Sequence, residues 1–179
     1  MVVERGVNDD EIISMVEFRR EHGFSLRFIE YMDVGNANAW SSSKIVSKNE
    51  IFERIQSVYP MHNGDREKPS DPAMQYEFLD RRGDIGFIAS VTEPFCTHCT
   101  RVRLTADGKL VTCLFSNDGF DLKTMLRRGV TDEAVSEVIT SVWGKRSDRY
   151  SDERLEALNS SEGYNPRQQK KIEMITLGG

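Results

Sequence analysis

The cysteines of this 179-residue chain are Cys96, Cys99 and Cys113, spaced C-x2-C-x13-C, and two arginines, Arg101 and Arg103, follow directly behind the second. A C-x-x-C turn sets two thiolates close enough to share one metal ion or cluster, and a third from a neighbouring strand makes a three-point mount. Three unrelated core cysteines would have no reason to gather in one stretch and leave the rest of the chain empty. Zinc is the commonest occupant of such clusters, but a structural zinc site takes four ligands, usually as two pairs. His98 lies inside the C-x-x-C, while His22 and His62 are far off in sequence. An iron–sulfur cluster is reasonable on three thiolates when its remaining iron stays open to a small ligand. The spacing alone leaves both metals open.

The stretch between Cys99 and Cys113 decides whether the third thiol can join the first two. It reads as a hairpin turning at "TADGK". With Asp107 and Gly108 as a two-residue loop, Cys113 would pair with Val102 and point away from the side of Cys99. With Ala106, Asp107 and Gly108 as a three-residue loop, and Gly108 left-handed, Cys113 pairs with Arg101. Only the second register serves a site. Cys99, Arg101 and Arg103 share parity, so an extended chain points both guanidiniums to the side of the thiolate at intervals of about 6 to 7 Å. Val102 and Leu104 face the other way and are expected in the core. Paired guanidinium forks match phosphate oxygens, which makes the predicted site one for a metal group and a polyanion together.

The elements that must position this stretch follow from pattern. "NDDEIISMVEFRREHG" predicts a helix capped by Asn8, with Glu11 completing a capping box, Gly23 as its stop, and Ile12, Ile13, Val16 and Phe18 as its buried face. "SLRFIEYM" predicts a strand over 25–32, and the polar "DVGNANAWSSS" a loop beyond it. Ser47 with Glu50 starts a second capped helix that stops at Pro60. That order is an α/β unit, in which chemistry gathers where strands end. The polar segment 62–73 marks a boundary between residues 1–61 and 62–179. Beyond it, "MQYEFLD" and "IGFIASV" flank "RRGD" as a hairpin, and helices are expected within "GFDLKTMLRRG" and after Thr131. From Arg146 onward the chain reads as polar. Trp40 and Trp143 read as packing residues, and Phe95 and Phe115 as an apolar wall about the metal group.

Composition limits the partners. A hydrophobic fraction of 38%, a net charge of -5 and a pI near 5.3 argue for a folded protein that is not a dedicated nucleic-acid binder. No apolar run suits a membrane span and the first residues carry no signal-peptide core, so the expected location is cytoplasmic.

The segments "LRFIEYMDVGN", "FCTHCTRVRLTADGKLVTCLF", "GVTDE", "SDRYSDER" and the closing "GG" resemble the C-terminal half of the GTP 3′,8-cyclase family, the molybdenum cofactor biosynthesis A proteins of the radical S-adenosylmethionine superfamily. The resemblance implies that residues 1–61 are the last units of an incomplete TIM-type (β/α) barrel, and that residues 62–179 form an α+β C-terminal domain with β-hairpins. It implies that Cys96, Cys99 and Cys113 hold a 4Fe-4S cluster whose open iron takes GTP. Arg101, Arg103 and Arg27 correspond to GTP-side arginines, Met32 lies towards S-adenosylmethionine, and Gly178 and Gly179 reach into the site.

In that family a second 4Fe-4S cluster, on a C-x3-C-x2-C motif, cleaves S-adenosylmethionine. The resulting radical chemistry makes 3′,8-cyclo-GTP, which cyclic pyranopterin monophosphate synthase consumes. That motif is absent from this sequence. The expectation is therefore a truncated, inactive chain that keeps the GTP half-site and self-associates through an unpaired edge of the strand at 25–32.

Overall fold

The computed structural model describes residues 1–64, 68, 70–160, 164–166, 168 and 170–177. They form a mixed α/β structure of two compact units. The first comprises Met1–Met32, Trp40–Cys99 and Ser151–Tyr164, and the second Asp33–Ala39, Thr100–Tyr150 and Asn165–Gly179.

Strands of the first unit are β1 (Val2–Val3), β2 (Leu26–Glu30), β3 (Met61–Asn63), β4 (Met74–Phe78) and β5 (Asp84–Ile88), in the sheet order β1-β2-β5-β4-β3. β1, β2 and β5 run parallel, while β4 and β3 return antiparallel. Register puts Val3, Leu26, Phe28, Ile85, Phe87 and Phe78 on one face. That face packs with Ile12 and Val16 of α1 (Ile12–His22) and with Ile51 and Ile55 of α2 (Lys48–Gln56) in a single core. Burying a side chain such as Phe28 or Phe87 contributes about 1.5–3 kcal/mol.

Local signals explain most of these boundaries. Ser47 and Glu50 form the expected capping box at α2. Gly23 stops α1 in the left-handed region at φ 74°, its N–H returning to the Arg19 carbonyl at 2.8 Å. Asn8 does not cap α1. Its carboxamide instead accepts the Glu4 N–H at 2.9 Å and donates to the Val2 carbonyl at 2.9 Å, closing the turn after β1, so the helix starts behind Glu11 without a side-chain cap. Phe18, expected in the core, is 51% exposed because only Ile12, Val16 and Arg19 face inward. β2 ends at Glu30, two residues short of expectation, and β3 overlaps the start of the segment that the sequence read as polar, at His62 and Asn63.

A three-stranded antiparallel sheet of β6 (Arg103–Leu104), β7 (Lys109–Val111) and β8 (Phe120–Asp121) forms the second unit together with α3 (Leu122–Arg127) and α4 (Asp132–Gly144). Asp121 and Thr131 cap the two helices through their side chains. A fifth helix, α5 (Tyr150–Asn159), was invisible in sequence, since its one buried residue is Arg154 and no apolar period marks it. Among the described residues no helix is long and apolar enough to cross a membrane.

Candidate functional site

The strand leading to the cysteines is held at its root by Glu30, which is 1% exposed. Its carboxylate accepts the N–H of Lys48 at 2.8 Å, of Val91 at 2.8 Å and of Thr92 at 2.9 Å, and the Thr92 hydroxyl at 2.5 Å. Those donors replace the water the group lost on burial. Arg154 adds a hydrogen bond from Nη2 to the Ser90 carbonyl at 2.5 Å. The segment entering Pro94 is thereby fixed within the first unit.

Cys96, Thr97 and His98 then form one 3₁₀ turn, closed by the Cys99 N–H on the Cys96 carbonyl at 3.1 Å. Cys96 and Cys99 belong to the first unit and Cys113 to the second. All three are half-buried and none is in a disulfide.

In the second unit the hairpin takes the register that serves a site. Arg103 pairs with Val111 and Leu104 with Leu110, which leaves Ala106, Asp107 and Gly108 as the loop. Gly108 sits at φ 86°, and its N–H reaches the Thr105 carbonyl at 2.9 Å. The turn is braced from inside, where the Thr105 hydroxyl donates to Asp107 at 2.5 Å and accepts the Lys109 N–H at 2.8 Å. That hydroxyl holds the Asp107 carboxyl below the usual carboxylate range. The paired ladder ends at Arg103 and Val111, so the expected pairing of Arg101 with Cys113 lies beyond it. Cys113 opens a turn in which the Phe115 N–H points at its Sγ at 3.5 Å and the Ser116 N–H at its carbonyl at 3.3 Å.

The two sides of this hairpin are covered the opposite way from expectation. Thr105 and Val111 are buried, at 4% and 2%, whereas Val102 and Leu104 are 46% and 63% exposed. Leu104, Leu110 and Phe120 form a cross-strand row in which only the central Leu110 is covered, since the outer strands have a neighbour on one side only. Arg101 and Arg103 are half-buried on the better-covered side.

Arg27 projects from the face of β2 opposite the core and is exposed, and a Cβ added at its cross-strand partner Gly86 would lie 3.1 Å from its Cγ. Met32 is half-buried. Gly178 and Gly179 lie outside the described residues. Among the described residues no group of three or more His, Cys, Asp and Glu side chains stands ready to hold a metal ion. Thiols are ligands of the type that soft metal groups take, and guanidiniums are donors of the type that phosphate oxygens take.

Sequence reasoning missed two elements of the arrangement. Glu30 carried a signal, because it continues the inward phase of Leu26 and Phe28, where an acid has to be paired. The other is a buried pair between Asp33 and Lys171, distant in the chain and without local pattern.

Comparison with known proteins bears on these residues. Residues 24–152 match the family model described as Molybdenum Cofactor Synthesis C, a span that holds the Cys96/Cys99 turn and the whole hairpin. The chain belongs to that family. Proteins named GTP 3',8-cyclase from Staphylococcus haemolyticus and Staphylococcus saprophyticus are each 42% identical to it over 180 residues. One from Staphylococcus aureus is 41% identical over the same length. Each alignment covers 100% of this chain and 52% of the relative, so the chain spans about half the length of the curated relatives it matches.

Proposed function

We propose that this chain is the substrate-side, C-terminal part of a GTP 3′,8-cyclase, acting in molybdenum cofactor biosynthesis in the cytoplasm. The observation that carries the reading is the whole-chain identity of 42% to proteins of that name, spanning the C-T-R-x-R hairpin. The hairpin register, which leaves Ala106, Asp107 and Gly108 as the loop, supports it. In this reading Cys96, Cys99 and Cys113 hold a 4Fe-4S cluster, which when bound supplies an open iron for the guanine edge.

The chain's own residues do the rest. Arg101 and Arg103 receive the triphosphate through paired N–H donors, and their fixed spacing on one strand orients the nucleotide before any chemistry. Arg27 adds a third positive group, Met32 lies towards S-adenosylmethionine, and Gly178 and Gly179 complete the substrate site. Residues 1–61 are proposed as the end of an incomplete (β/α) barrel and residues 62–179 as the cluster and GTP domain. This division concerns the parentage of the segments, and the two packing units are a separate partition.

The radical-generating cluster and its S-adenosylmethionine need a C-x3-C-x2-C motif that this sequence does not contain. The chain by itself is therefore proposed to bind GTP without converting it, and the downstream partner is a synthase that consumes the cyclised nucleotide. The strand expected to keep an unpaired edge, β2, is paired on both sides, by β1 and by β5, so the proposed self-association does not run through it.

Anaerobic reconstitution with iron and sulfide tests the reading. The chain should take up both and develop the visible absorbance of an iron–sulfur protein, and Cys96→Ser should abolish it. Stable uptake of zinc with exclusion of iron would overturn the assignment.

A further inference from the structure

We propose that residues 171–177 form a strap that positions the cysteine–arginine hairpin, with Asn36 and the buried Lys171/Asp33 pair as its positioning residues. The inference rests on the proposed role of that hairpin, and every contact it uses lies inside the second unit.

On one side the strap is gripped by the loop that follows β2. The Asn36 carboxamide donates to the Lys171 carbonyl at 2.6 Å and to Glu173 Oε1 at 2.6 Å, and accepts the Lys171 N–H at 2.9 Å. A side-chain amide here makes the reciprocal pair of bonds that a β-bridge makes with backbone. The Asn36 N–H adds a contact to Glu173 Oε2 at 3.3 Å. Gly35, at φ 63°, lets the loop pass this close, since a Cβ there would sit 2.7 Å from Glu173 Oε2.

Beneath this grip the Lys171 ammonium donates to the Asp33 carbonyl and to Asp33 Oδ2, both at 2.7 Å, with each side chain 1% exposed. Tyr150 donates its hydroxyl to Asp33 Oδ2 at 2.6 Å. The ammonium lies 5.1 Å from the Tyr150 ring and 5.8 Å from that of Phe115. A buried charge so completely paired holds its segment firmly.

On its other side the strap holds the hairpin at two points. The Ile172 N–H donates to the Ser116 carbonyl at 2.9 Å, three residues beyond Cys113, and the Ala106 N–H in the hairpin turn donates to the Thr176 carbonyl at 3.2 Å. Phe115, two residues from Cys113, stacks on Tyr150 with centroids 4.3 Å apart and planes at 12°. The strap then folds back on itself, the Leu177 N–H reaching the Met174 carbonyl at 3.0 Å, and Leu177 is buried. Turn and exit of the hairpin are thus tied to one segment, and that segment to Asn36 and Asp33.

The test uses the full, metal-free, reduced chain. Iodoacetamide alkylation of Cys113 and Cys96 is followed by peptide mass spectrometry in Asn36→Ala, Glu173→Ala and Glu173→Gln variants that keep the wild-type circular dichroism. Loss of the grip in Asn36→Ala should speed alkylation of Cys113 about tenfold through local opening, with Cys96 unchanged. Glu173→Ala should show the same effect more weakly, and Glu173→Gln, which keeps an acceptor for Asn36, should behave as wild type. Equal acceleration at both cysteines, or none at Cys113, would overturn the strap. Because no metal or nucleotide enters this measurement, its failure is separate from a failure of the wild-type chain to bind GTP. If both hold, Glu173→Ala should weaken GTP binding and Glu173→Gln restore it.

Discussion

The first unit buries a continuous apolar core between one sheet face and two helices, whereas the second covers its small sheet sparsely and relies on specific polar ties. Leu110, Val111, Phe115, Leu122 and Leu177 are its buried apolar residues, and Leu104 and Phe120 flank them largely in the open. Precision has a different source in each. Apolar burial is non-directional and tolerates adjustment, while a hydrogen-bonded carboxylate or ammonium fixes atoms to within tenths of an ångström. The cysteine turn inherits its position from Glu30 and the hairpin inherits its own from the Lys171 strap.

Breaking the first tie should have the largest effect. Glu30→Ala leaves buried N–H groups of Lys48, Val91 and Thr92 without their acceptor, and should lower the stability of the first unit by about 3 kcal/mol or more, read as a shifted urea midpoint. Lys171→Met should cost about 3 kcal/mol, confined to the second unit, because it removes the counter-charge of the buried Asp33 carboxylate. Adding Asp33→Leu to it should recover most of that loss, which separates the worth of the pair from the penalty of breaking it. Gly83→Ala is smaller, about 2 kcal/mol. Gly83 sits at φ 98°, and a Cβ there would lie 2.1 Å from the Arg19 guanidinium. That guanidinium is already committed to the Arg82 carbonyl at 2.6 Å and Asp84 at 2.9 Å. Thermal unfolding measures it.

Acid should touch the second unit most gently of all. Asp107, Asp118 and Asp121 are held below the ordinary carboxylate range by hydrogen bonds from Thr105, Lys109 and Thr124 respectively. A depressed carboxyl contributes stability above its unfolded value and loses it as pH falls through the folded one. All three are exposed, so the expected result is a small loss of amide protection around β7 and β8 as pH drops below about 4. Constant protection to lower pH would remove these groups from the account.

Much of this was legible in the residues, for physical reasons that can be named. Ser47 with Glu50, and Gly23, act through neighbouring backbone groups, so their sequence neighbourhood was enough. Alternation left two registers open for the hairpin, and the structure takes the three-residue loop ending at Gly108 that would turn Cys113 to the side of Cys99. Asn8 misled because a carboxamide can satisfy any nearby backbone group, and here the turn after β1 offered a better geometry than the helix start. Val102 and Leu104 misled because alternation tells which residues share a face and not which face is covered. Asn36, Asp33 and Lys171 were silent, since their partners lie more than a hundred residues away in sequence.

GTP affinity in the anaerobically reconstituted chain, measured by equilibrium dialysis for wild type, Arg103→Ala and Cys113→Ser, tests the shared role of the thiols and arginines most directly. The predicted result is binding by the wild type, loss of affinity with iron retained in Arg103→Ala, and loss of both iron and nucleotide in Cys113→Ser. Undiminished GTP binding by Cys113→Ser, or none by a wild-type chain carrying its full iron, would contradict it.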